Sequence, residues 1–106
     1  MEFKDLSQRA LEIRGKYEVL ENKKYGRAWS RAELAQGLVV DIGDLTRLIM
    51  AKEGIREAAD LDAKLKHELS DCLWSILVLA RKYEIDLEKE FVASMDELGK
   101  KIEGGI

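Results

Sequence analysis

The sequence predicts an all-α domain of four helices. Apolar residues recur at three- and four-residue spacing in every long segment, no strand-like alternation competes, and the 106 residues include no proline. A hydrophobic fraction of 46% beside a charged fraction of 37% fits one small helical domain over residues 1–106, with no room for separate catalytic and binding domains. One site, or none, is expected.

The first helix is predicted from about Phe3 to Lys24, with Leu6, Ala10, Ile13, Tyr17 and Leu20 forming a stripe that ends near Gly26. The second starts at Ser30, where Ser30-Arg31-Ala32-Glu33 matches a capping box, and stops near Gly54. Residues 55–61 read as a loop or irregular turn. A third helix opens near Asp60 or Asp62 and runs to about Tyr83, and a fourth begins at Asp86 and fades before Gly104 and Gly105. Leu87, Phe91, Met95 and Leu98 make a packing stripe on the last helix. Four short helices with apolar residues on more than one side bury them incompletely alone, so an oligomeric bundle, a homodimer or homotetramer, is expected.

A formal net charge of -3 with interspersed signs disfavours binding to a nucleic-acid polymer. No apolar run approaches the roughly 20 residues that cross a bilayer, and the amino terminus MEFKDLSQRA lacks a secretory signal's apolar core. No membrane partner and a cytoplasmic location are expected. Cys72, the single cysteine, has no partner for an internal disulfide and reads as a packed, reduced thiol.

Two acid pairs at three-residue spacing, Asp41/Asp44 and Glu68/Asp71, interrupt the two most apolar helical stretches. At about 100° per residue, Gly37, Asp41, Asp44 and Leu48 share one stripe, and Glu68 lies in line with Leu61, Leu65, Cys72, Ser75 and Leu79. Acids so placed border the buried face, where an ionised carboxylate needs a counter-charge. An all-oxygen set on two facing helices suits Mg²⁺ or Mn²⁺, the usual partners of a polyphosphate. Arg47 and Lys64 are placed to neutralise one acid each, so spacing alone leaves a metal site and a salt-bridged structural cluster both open. The lone His67 points away from Glu68 and reads as a surface or outer residue.

The stretches WSRAELAQGLVVDIGDLTRLIMAKEG and HELSDCLWSILVLARKYEIDLEKEF resemble the MazG-like all-α nucleoside triphosphate pyrophosphohydrolases, whose signature is E-E-x-x-E followed, after a spacer, by E-x-x-D. The likeness runs from about Arg27 to Ile102. Glu68-Leu69-Ser70-Asp71 fits the second half, whereas Val40, Asp41 and Asp44 stand where the family has three glutamates. This resemblance implies a MazG-like four-helix bundle that hydrolyses a nucleoside triphosphate to monophosphate and pyrophosphate. It also implies Asp41, Asp44, Glu68 and Asp71 as metal ligands, with Glu68 and Asp71 catalytic. Lys52, Arg56 and Lys64 are the nearest cations for the outer phosphates, although each also reads as an ordinary surface charge. Trp29 and Trp74 are candidates for the base pocket, or for plain packing. With Val40 in place of the first glutamate, the alternative is a catalytically weakened helical oligomer that binds nucleotide or a protein partner. A narrower enzymatic alternative is phosphoribosyl-ATP pyrophosphohydrolase.

Overall fold

In the computed structural model, which describes residues 1–105 apart from 56 and 58, all regular structure is helical. The helices are α1 (Phe3–Tyr25), α2 (Arg31–Lys52), α3 (Leu61–Lys82) and α4 (Leu87–Glu103). No helix is long and apolar enough to cross a membrane among the described residues.

Local chemistry sets the boundaries. Gly26 closes α1 in the left-handed region at φ 78°, donating its N–H to Asn22 O, as expected for a residue without Cβ. At the start of α2, Ser30 Oγ accepts from Glu33 N at 3.2 Å while Glu33 Oε1 accepts from Ser30 N at 3.0 Å, completing the capping box. Arg27 adds Nη1 to the same carboxylate at 2.6 Å, which ties the interhelix loop to the helix end. Asp60 precedes α3 with φ 51° and no side-chain cap, so the predicted start is right in place but not in chemistry. Asp86 caps α4 through Lys89 N at 3.2 Å.

α2 and α3 pack against each other along their length, and α1 lies against α3. The α1 contact departs from the predicted stripe. Ser7, Ala10, Arg14 and Glu21 are the buried residues of α1, whereas Leu6, Tyr17 and Leu20 are exposed. Small side chains at Ser7 and Ala10 let α3 approach, and Arg14 and Glu21 neutralise each other in that seam. Trp74 Nε1 donates to Ala10 O at 3.0 Å and Lys82 Nζ meets Glu18 Oε1 at 2.7 Å, pinning α3 to α1 at two heights. The common cluster is Ala10, Leu77 and Val78, with Phe3, Leu34, Trp74 and Leu87 around it.

The all-α expectation holds, but a single chain does not close a four-helix bundle. Leu87 is the residue of α4 that reaches the cluster, and no residue of α4 is buried. The radius of gyration is 17.0 Å, against about 13 Å for a compact chain of this length.

Replacing Ser30 with alanine should lower unfolding free energy by about 1 kcal/mol in urea titration, because a donor at the start of α2 loses its acceptor. The ion pair with Arg27 and the Ser30 bonds hold the Glu33 carboxyl down at about 2. Its stabilising contribution is therefore present above the ordinary glutamate range and fades as pH falls toward 2; Glu33→Gln should flatten that part of a stability-versus-pH curve.

Candidate metal centre

The packing of α2 on α3 brings three of the four sequence-identified acids together. Asp41, Asp44 and Glu68, each half-buried, present carboxylate oxygens that all lie within 4.8 Å of one another. The fourth, Asp71, is outside this group, its Oδ2 lying 3.0 Å from His67 Nε2. His67 is exposed, in keeping with an outer position.

Charge and burial act on these groups together. Burial, then the charge of Asp71, pushes the Asp41 carboxyl above its ordinary value, and His67 opposes the shift. Cys72 is buried directly behind the cluster, and its thiol is pushed up by burial first and then by Asp41, Glu68 and Asp71. It is a packed thiol whose surroundings favour the protonated form. Arg47 pairs with Asp44. Lys64 makes no ion pair with Glu68 among the described residues, and Glu68 Oε2 is buried without a hydrogen-bond partner. Three close carboxylates, one with an orphaned oxygen, have the donor set and the deficit of positive charge that a hard divalent cation satisfies.

Two cavities meet at this cluster. A cleft of about 620 Å³ is lined by Asp44, Arg47, Leu48, Glu57, Asp60, Ala63, Lys64, His67 and Glu68. On the other side, a largely apolar pocket of about 350 Å³ runs between Trp29 and Trp74 and is completed by Arg14, Leu34, Gly37, Val40, Asp41, Ser75 and Val78. Lys64 thus reaches the cleft, while Lys52 is held by Asp62 at 2.7 Å across the α2–α3 connection and does not line it. Arg56 lies outside the described residues. Trp74 serves packing as well as the pocket, tilted against Tyr17 at 5.7 Å.

Arg14 and Glu21 were not legible as site residues from sequence, where α1 offers only an apolar stripe. Glu21 Oε1 accepts from Arg14 Nη2 and from the Trp29 backbone N–H at 2.9 Å, and the Arg14 guanidinium lies 5.8 Å from the Trp29 ring. The pair anchors the loop that carries Trp29. The available signal was the spacing of Ser7, Ala10, Arg14 and Glu21, a helical stripe of small and charged residues parallel to the apolar one. Comparison with protein families, curated proteins and solved structures yields no match to this chain.

Two outcomes follow from these contacts. A carboxyl raised in the folded state destabilises the charged protein above its folded pKa, and the penalty is relieved as pH falls through it. Asp41→Asn should therefore raise the metal-free melting temperature by a few degrees at pH 7, and should weaken any upward shift that a divalent cation would produce by binding the three carboxylates. Glu21→Gln leaves the buried Arg14 guanidinium with only Glu18, 3.6 Å from its Nε, and should cost about 2 kcal/mol, with the Trp29 fluorescence shifting to the red as its loop loosens.

Proposed function

We propose that this chain is a Mg²⁺-dependent nucleotide pyrophosphohydrolase, Mn²⁺ being an alternative ion, that acts in the cytoplasm on (deoxy)nucleoside triphosphates. The convergence of Asp41, Asp44 and Glu68 between two unlike cavities carries the reading. One cavity is lined by charged side chains and offers Arg47 and Lys64 to a polyphosphate; the other is aromatic and of a size to take a base. The likeness of Glu68-Leu69-Ser70-Asp71 to the MazG-like motif supports the same chemistry from sequence.

Asp41, Asp44 and Glu68 would hold the ion, which when bound offsets charge on the phosphate oxygens and lowers the pKa of water. Glu68 has an unpaired oxygen with which to orient the attacking water. Asp71 Oδ2, 3.0 Å from His67 Nε2, would hold the imidazole at the edge of the cleft, where it would take the proton of the attacking water. The water oxygen bonds to the attacked phosphorus, the anhydride bond between the first two phosphates breaks, and pyrophosphate leaves. Trp29 and Trp74 wall the base, with Arg14 behind Trp29 as a positioning residue. A homodimer or homotetramer is the proposed working unit.

One feature favours a second reading, a weakened member that binds nucleotide without efficient turnover. Val40, where the family motif has its first glutamate, is 63% exposed and lines the aromatic pocket with no oxygen to offer the ion.

Pyrophosphate release from each dNTP in the presence of Mg²⁺ tests the enzymatic reading, and Glu68→Gln should reduce any release at least 100-fold, the order expected for loss of a directly acting group. Absence of both pyrophosphate and orthophosphate at high protein concentration would refute catalysis. A rise in melting temperature with Mg²⁺ and a non-hydrolysable triphosphate, without turnover, selects the binding module.

A further inference from the structure

We infer that Arg14 and Ser75 make the aromatic pocket selective for lactam bases, those with a ring carbonyl beside a ring N–H such as uracil, thymine, guanine and hypoxanthine, over the amino bases adenine and cytosine. The inference rests on the proposed function in one respect, the placing of a base between Trp29 and Trp74.

Arg14 has more donors than the chain satisfies. A guanidinium donates and never accepts, and this side chain is only 6% exposed, so its N–H groups need partners inside the molecule. Nη2 bonds to Glu21 Oε1. Nε is sealed in without a hydrogen-bond partner, Glu18 Oε1 standing 3.6 Å away. Nη1 makes no hydrogen bond among the described residues and, unlike Nε, is not sealed off. Buried donors left over in this way are costly. The same guanidinium lines the pocket of about 350 Å³, where a ligand oxygen would supply the missing acceptor.

Charge narrows the choice of ligand. Glu21 and Glu18 both face Arg14, and Lys82 Nζ meets Glu18 Oε1 at 2.7 Å, so two cations offset two carboxylates at this end of the pocket. A phosphate or carboxylate would gain no net attraction here and would lose its water, whereas a neutral carbonyl takes the free donors without that cost. Anionic groups are better served in the neighbouring cleft, beside Arg47 and Lys64.

The remaining lining decides which edge of a flat ring is read. Much of it is apolar, and the polar groups nearest the aromatic walls are already engaged: the Trp74 indole N–H donates to Ala10 O at 3.0 Å and the Trp29 backbone N–H to Glu21 Oε1 at 2.9 Å. Asp41 gives an oxygen to the acid group shared with Asp44 and Glu68. Ser75 brings a hydroxyl, which accepts as well as donates. A lactam edge therefore finds both its partners, the carbonyl at Arg14 and the ring N–H at Ser75. An amino base carries the reverse pattern, an exocyclic donor beside a ring acceptor, and sets donor against donor at Arg14. Leaving a buried polar group unpaired in this way discriminates more strongly than a change of shape.

Quenching of tryptophan fluorescence reads the pocket directly, because its two walls are the only tryptophans of the chain. The full chain is titrated without metal with two pairs of deoxynucleoside 5′-monophosphates that differ at this edge, inosine against adenosine and uridine against cytidine. In whichever pair the pocket admits, the lactam member should bind about tenfold more tightly. Arg14→Lys keeps the charge that faces Glu21 but loses the planar fork, and should bring the two members within about twofold; Ser75→Ala leaves the ion pairs intact and should lower the preference to a few-fold. Equal affinities within both pairs, tighter binding of the amino member, or no quenching by any of the four overturns the inference. So does a folded Arg14→Lys or Ser75→Ala protein that keeps the full preference, and if Arg14→Lys does not fold, the unaltered protein and Ser75→Ala decide. Failure of the enzymatic reading is separable: lactam preference without pyrophosphate release removes catalysis alone, and release without base preference removes this inference alone.

Discussion

The meeting of like charges between α2 and α3 is the constraint on which the rest of the molecule turns. Asp41, Asp44 and Glu68 occupy positions where leucine would stabilise the helix pair by about 2 kcal/mol each. Instead they cost desolvation: burial and then the neighbouring Asp71 push the Asp41 carboxyl up, and burial with Asp41, Glu68 and Asp71 does the same to the Cys72 thiol. Arg47 answers one of them and His67 reaches the neighbouring Asp71, so the cluster retains a net negative charge. A core that accepts this arrangement gives up packing for a place where three carboxylates could hold a cation.

The remainder of the single-chain fold serves to hold those two helices in register. α1 does so through an unusual inner face, small at Ser7 and Ala10 and ionic at Arg14 and Glu21. The same carboxylate that neutralises Arg14 accepts the backbone N–H of Trp29, so one buried pair couples the α1–α3 seam to the wall of the aromatic pocket. Placement of that wall is thereby set from behind by electrostatics rather than by the hydrophobic core, whose buried members are few and mostly small.

Economy of core has its counterpart outside. The apolar residues of α4 and of the outer side of α2 are as regularly spaced as those that pack internally, and the extended shape follows from their having no partner within the chain. Sequence periodicity shows that a helix has an apolar face, and it is silent on whether that face meets the same chain or another. After the four-residue connection from α3, Leu87 packs against the core cluster, and no residue of α4 is buried.

Helix number, helix limits and the two acid pairs were legible in the sequence because they depend on local chemistry: a capping box at Ser30, a left-handed glycine at Gly26, and carboxylates at helical spacing on apolar stretches. Tertiary structure decided which carboxylates share a centre. Asp71 is as close in sequence to Glu68 as Asp44 is to Asp41, yet the packing of α2 on α3 gathers Asp41, Asp44 and Glu68 and leaves Asp71 beside His67 on its own helix. It also decided that α1 would bury its polar side, since two apolar or small stripes on one helix compete and the neighbour's shape selects between them. Spacing along a chain places side chains on a face; only the packing of one face on another sets the distances on which coordination, ion pairing and burial depend.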